Sequence, residues 1–113
     1  MTDTNYPITP DGRYFVARSR LWRRSDPSLT DTERDTRVRD LMAARRAVRD
    51  AADDGEKRAA RERVQTAKVA LGERGPVWWC DGAPDESRRH PANSRYAPWW
   101  AALDAGTRDA GTR

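Results

Sequence analysis

The chain is poor in the residues from which protein cores are usually built. Leu, Ile, Val and Phe together supply only 13 of its 113 residues. A share below about 20%, combined with high net charge, marks disordered chains. The second condition is not met, because 22 basic residues stand against 18 acidic ones for a net charge of +4. Five Trp and three Tyr can each bury a large area, so a folded chain with a thin core, most of its tryptophans inside, is expected. Cysteine is nearly absent too. The single Cys80 excludes a disulfide within the chain and suits a reducing compartment. No stretch approaches the roughly 18 apolar residues of a membrane span. The opening Met1-Thr2-Asp3-Thr4-Asn5 lacks the apolar segment of a signal peptide. A cytoplasmic location is expected, with no membrane partner.

Several catalytic signatures are also missing. Gly72-x-x-Gly75 lacks the lysine and the length of a Walker phosphate loop. The chain contains neither a Gly-x-Ser-x-Gly elbow nor a His-Glu-x-x-His helix, which argues against the common hydrolase and metalloprotease classes.

Arginine is what the chain has in abundance: 20 residues, against two lysines at Lys57 and Lys68. Guanidinium forks grip phosphate or carboxylate bidentately, although a GC-rich genome produces the same bias. The pI near 9.8 permits nucleic-acid binding without requiring it.

Residues 1–10 read as a flexible arm interrupted by Pro7 and Pro10. Tyr14, Phe15 and Val16, then Leu21 and Trp22, are strand formers on either side of an Arg18-Ser19 turn, which predicts a β-hairpin. Thr30-x-x-Glu33 is a capping box. Val38, Leu41, Met42 and Val48 follow at helical spacing, predicting a helix to about Ala52. Asp53-Asp54-Gly55 breaks it. A second helix is predicted from about Glu56 to Leu71, with Ala60, Val64, Ala67 and Leu71 on one stripe and Gly72 as its stop. The short connection makes the two helices antiparallel neighbours. Val77 to Cys80 reads as a third strand, and a last short helix is predicted from near Arg95.

The runs Asp11-Gly12-Arg13-Tyr14-Phe15-Val16, Leu41-Met42-Ala43-Ala44-Arg45-Arg46 and Leu71-Gly72-Glu73-Arg74-Gly75-Pro76-Val77-Trp78-Trp79 resemble a family of short uncharacterised bacterial proteins. Arg20-Leu21-Trp22-Arg23, Asp81-Gly82-Ala83-Pro84-Asp85 and Asn93 to Trp100 extend the resemblance over roughly residues 11–103. It implies one compact unit and a bacterial source. It implies no chemistry.

Three groups of residues are candidates for function. The hairpin carries Arg13, Arg18, Arg20, Arg23 and Arg24 with no acidic residue among them, and a two-stranded ribbon of this kind can enter a major groove or neutralise phosphates. Its bland reading is a solvated outer face. The loop after Trp78 gathers Cys80, Asp81, Asp85, Glu86, Arg88, Arg89 and the lone His90. Cys80 and His90 would suit a nucleophile and base, and Asp81, Asp85 and His90 a metal, but zinc spacing is absent. The steps Trp78-Trp79 and Trp99-Trp100 could stack on unpaired bases, yet so thin a core needs them inside.

The expected fold is therefore α+β. An N-terminal hairpin, with or without a third strand, packs on an antiparallel helical pair and a short C-terminal helix. One domain is expected over residues 11–104, followed by a disordered tail over 105–113. The leading functional expectation is a small basic protein that binds DNA or RNA without catalysis. Arg13, Arg18, Arg20, Arg23, Arg24, Arg88, Arg89 and Arg95 would contact phosphates. A protein-interaction or homodimerisation module is one alternative, and an unfamiliar enzyme using the 80–93 loop is the other. No catalytic residue, metal or cofactor is assigned.

Overall fold

Thr30 opens the longest helix in the way its neighbours require. Its side-chain oxygen accepts from the Glu33 backbone N–H at 3.1 Å, while the Glu33 carboxylate accepts from the Thr30 N–H at 2.9 Å. Two otherwise orphaned donors are thereby satisfied. The computed structural model describes residues 6–113. Their elements are β1 (Tyr14–Ala17), β2 (Arg20–Arg23), α1 (Asp31–Asp50), α2 (Asp54–Leu71), a 3₁₀ turn (Pro91–Asn93), α3 (Ala97–Ala102) and α4 (Ala105–Thr112). The class is α+β, with an antiparallel hairpin, two packed helices and short C-terminal helices. The described residues group into two compact units, 25–80 and 6–24 with 81–113.

The 25–80 unit is the helical pair. Leu41, Ala67 and Leu71 form its core, flanked by Leu29, Val38, Met42 and Val64. Ala44 and Ala60 are buried as well, and such small side chains let two backbones approach. Asp53 caps α2 by accepting from the Glu56 N–H at 2.8 Å. Gly72 ends it at φ 85°, the left-handed conformation in which glycine carries no Cβ penalty. A Cβ there would lie 2.9 Å from Asp26 Cβ and 3.0 Å from Trp78 Cδ1.

The other unit is built on the hairpin. Its register pairs Tyr14 with Arg23, Phe15 with Trp22, Val16 with Leu21 and Ala17 with Arg20. Tyr14, Val16 and Leu21 are fully buried on one face, as strand alternation demands. Both outer edges are covered. On the β1 side, Val16 N–H donates to Pro7 O and Thr9 N–H to Tyr14 O, each at 2.9 Å, and Ile8 bridges Phe15. On the β2 side, Leu21 N–H donates to Arg89 O at 2.9 Å and Leu21 O accepts from Arg88 N–H at 2.7 Å. Residues 77–79 form no strand. The edges such a strand would need are already occupied within this unit.

Two further expectations differ from the structure. Residues 7–9, read as part of a flexible arm, are pinned along β1, with Pro7 and Thr9 buried. Residues 1–5 of that arm lie outside the described residues. The segment read as a disordered tail holds α4, capped by Asp104, whose carboxylate accepts from the Thr107 N–H at 2.8 Å. Gly111 in α4 is buried against Trp100 and Pro7. Of the five tryptophans, Trp79 and Trp100 are buried while Trp22, Trp78 and Trp99 are half-buried, so the core is thinner in tryptophan than expected.

Candidate functional site

The turn between the strands has two residues, Arg18 and Ser19, at φ 55° and 61°. Positive φ at both positions is the type I′ geometry that matches the twist of a hairpin. Asn-Gly is the usual occupant; L-residues with larger side chains pay about 1–2 kcal/mol each for the left-handed conformation. The surroundings hold this turn in place. Arg18 N–H donates to Arg113 O at 2.8 Å and Ser19 N–H to Gly111 O at 2.9 Å. These are carbonyls at the end of α4, which lack partners inside the helix. Hairpin tip and helix end satisfy each other.

Arg88 is the one other described non-glycine residue at positive φ, 73°. It occupies the third position of a turn closed by Arg89 N–H donating to Glu86 O at 3.2 Å, a position where a type II turn normally takes glycine. Asp85 shapes the approach by accepting from the Ser87 N–H at 3.0 Å and hydroxyl at 2.6 Å. The pairing of residues 88–89 with Leu21 then sets this turn beside Arg20, whose Nη1 donates to Arg88 O at 2.8 Å.

The result is an open groove of about 600 Å³ lined by Arg18, Ser19, Arg20, Arg88, Arg89, His90 and Asn93. No carboxylate lines it. All three non-glycine residues at positive φ among the described residues are in its walls, and clustered strain of this kind is characteristic of functional sites. The His90 Nδ1 accepts from the Ala92 N–H at 3.0 Å. Glu86, a buried residue whose Oε1 accepts from the Arg95 N–H at 3.1 Å, lies 3.8 Å from Arg89 Nη1.

Of the eight arginines expected to contact phosphate, Arg18, Arg20, Arg88 and Arg89 meet in this groove. The other four are placed elsewhere. Arg23 follows Leu21 by two residues on β2, so alternation turns it to the inner face, where it is 4% exposed. Arg13 pairs with Asp81 and lies 3.9 Å from Asp11. Arg24 donates to Gly12 O at 3.3 Å. Arg95 is exposed and lies 5.8 Å over the Tyr96 ring, within cation–π range. Ser19, His90 and Asn93 were not expected at a phosphate site; the two-residue turn was the available signal for Ser19.

A network of tyrosines and carboxylates braces the same unit. The Tyr14 hydroxyl accepts from the Glu86 N–H at 2.8 Å and donates to Asp85 at 3.3 Å. Burial, with the nearby carboxylates adding to it, pushes its pKa up to about 12. Burial raises Tyr96 as well, helped by the 2.6 Å bond its hydroxyl donates to Asp11. Burial alone would raise Asp11, but the bonds from Tyr96 and Thr9 outweigh it and hold that carboxyl below its ordinary value.

Three of the residues weighed for catalysis have structural partners. Asp81 receives Arg13, Asp85 shapes the 85–88 turn and His90 caps the 3₁₀ turn. Cys80 is a free, exposed thiol. Among the described residues, no group of three His, Cys, Asp or Glu could hold a metal. A second depression, of about 450 Å³, on α2 is lined by Asp54, Lys57, Arg58, Arg61, Glu62 and Gln65, three basic side chains interleaved with two acidic ones. Among the described residues, no helix is long and apolar enough to cross a membrane.

No protein-family model, curated protein or solved structure matches this chain. A functional reading therefore rests on the groove itself.

Proposed function

We propose that the protein binds the phosphate backbone of nucleic acid through the arginine groove, without catalysis. One observation carries this reading: Arg18, Arg20, Arg88 and Arg89 come from two distant stretches of chain and line one open groove with no acidic residue in its walls. Guanidinium groups form bidentate, charge-assisted bonds to phosphate oxygens. A groove this open suits a polymer passing along it better than a small molecule, which a pocket would largely enclose. The lone, exposed Cys80 is compatible with a cytoplasmic setting.

The alternative of a homodimer through the helical stripes has less support, because those stripes pack against each other within the 25–80 unit. Exposed large apolar side chains among the described residues are limited to Ile8 and Val69. Light scattering that found a dimer across concentrations would revive it.

The test is fluorescence anisotropy of labelled nucleic acid titrated at several salt concentrations. Four arginine–phosphate contacts give a log–log salt slope of about −3.6 on duplex. Each of Arg18→Ala, Arg20→Ala, Arg88→Ala and Arg89→Ala should lower that slope by about 1. Arg34→Ala and Arg37→Ala, at exposed positions of α1, should leave it unchanged. Equal effects from both sets would refute the groove as the binding surface.

A further inference from the structure

Resting on that reading, we infer that the groove takes the backbone of a double-stranded nucleic acid, irrespective of base sequence, in preference to a single strand. Three features of the groove point this way. First, its walls contain no Trp, Tyr or Phe. Surfaces built for unpaired bases combine charge with aromatic faces on which the bases stack; here Trp100 is buried with its ring centre 6.2 Å from that of His90, and Trp22 is half-buried with its Nε1 donating to Ala17 O at 2.8 Å. Unpaired bases would meet guanidinium groups, a hydroxyl, an amide and one imidazole.

Second, the hairpin is not a free ribbon. Residues 7–9 cover one edge, residues 88–89 cover the other, and the end of α4 holds both N–H groups of the tip. A ribbon must project alone to reach base edges in a major groove. This one is walled in on three sides, so its arginines meet nucleic acid from outside, where phosphates fix position but carry no sequence.

Third, the positive charge is dense. Arg18 at the tip and Arg20 at the start of β2 lie two residues apart, and residues 88–89 lie one strand spacing, about 5 Å, from β2, so the four arginines spring from one small patch of backbone. A duplex presents one charge per about 1.7 Å of axis, twice the density of one of its strands. Such a cluster gains most from the denser array.

The experiment compares a duplex of mixed sequence, a second duplex of unrelated sequence, and the separated strand of the first, all of one length and at matched low salt. DNA and RNA versions of each distinguish the two sources of backbone. Duplex binding at least about tenfold tighter than the single strand, and equal between the two sequences, is the expected result, since stacking is unavailable to compensate the strand. Single strand bound as tightly as duplex, or a marked preference between the two duplexes, would overturn this inference and leave the phosphate reading standing. No binding of any nucleic acid at low salt would overturn both.

Discussion

Two glycines of α4 allow a clean test of how the hairpin tip is held. A Cβ on Gly111 would lie 2.9 Å from Trp100 Cη2, 3.0 Å from Cζ3 and 3.3 Å from Pro7 Cγ. Trp100 is 7% exposed and cannot swing away. A Cβ on Gly106 would meet only Asp104 Oδ1, at 3.5 Å, an ordinary contact. Replacing either glycine by alanine restricts the unfolded chain equally, a gain of about 0.4–1 kcal/mol. Alanine is also the better helix former. Gly106→Ala should therefore stabilise by about 0.5–1 kcal/mol. Gly111→Ala adds an overpacking cost of about 1–3 kcal/mol, so it should fall below Gly106→Ala by that amount. Urea denaturation followed by tryptophan fluorescence measures the difference. Because the Gly111 carbonyl receives the Ser19 N–H, Gly111→Ala should also weaken duplex binding, which Gly106→Ala should not. Equal stabilities for the two variants would show that α4 does not pack on Trp100, and the account of the strained tip would fall with it.

Gly72→Ala should destabilise the helical pair by about 2–4 kcal/mol, combining left-handed strain with the clash against Asp26; a loss below about 0.5 kcal/mol in urea melts would contradict the described helix stop. Thr30→Ala should cost about 1 kcal/mol through the lost capping box, while Arg37→Ala nearby should be nearly neutral. Tyr14→Phe leaves the buried Glu86 N–H without its hydroxyl acceptor, for a loss of about 1–3 kcal/mol. Tyr14 also gives a pH signature. Its folded pKa, about 12, lies above its ordinary value of 10.0, so its contribution to stability is intact below pH 10 and is lost as pH rises toward 12. Tyrosinate absorbance should show one alkaline step near 12 that disappears in Tyr14→Phe; a step that survives unchanged would place the shift elsewhere.

The helical pair was legible because local chemistry specifies it. Thr30 and Glu33 close a capping box, Gly72 supplies the stop, and an apolar stripe runs between them; the helices end within about two residues of where these signals put them. The hairpin was legible from its β-branched and aromatic runs, although Arg18-Ser19 is an unusual occupant of a I′ turn. What escaped depends on contacts between distant segments. Residues 7–9 and 88–89 carry no strand pattern and become sheet neighbours only because the outward backbone groups of Val16, Tyr14 and Leu21 need partners. α4 was hidden by its two glycines and sparse apolar residues; Asp104, three residues before Thr107, was its one start signal. Half of the groove could be anticipated as a basic hairpin, but its meeting with Arg88 and Arg89 could not. Arg23 was misplaced because the charge count was read without the strand alternation that turns it inward with Leu21.

The pairing of Leu21 with residues 88–89 has a consequence for biosynthesis. As the chain leaves the ribosome, β2 emerges more than sixty residues before the segment that covers its edge. The intervening helical pair makes mostly local contacts, which form quickly. Throughout that interval an unpaired strand edge, the usual starting point of strand-to-strand aggregation, is open to other nascent chains. It is flanked by Arg18, Arg20, Arg23 and Arg24, and like charges of that density repel a second copy of the same edge. The hairpin arginines would then serve the chain before it is folded, as a guard against self-association, whatever they bind afterwards.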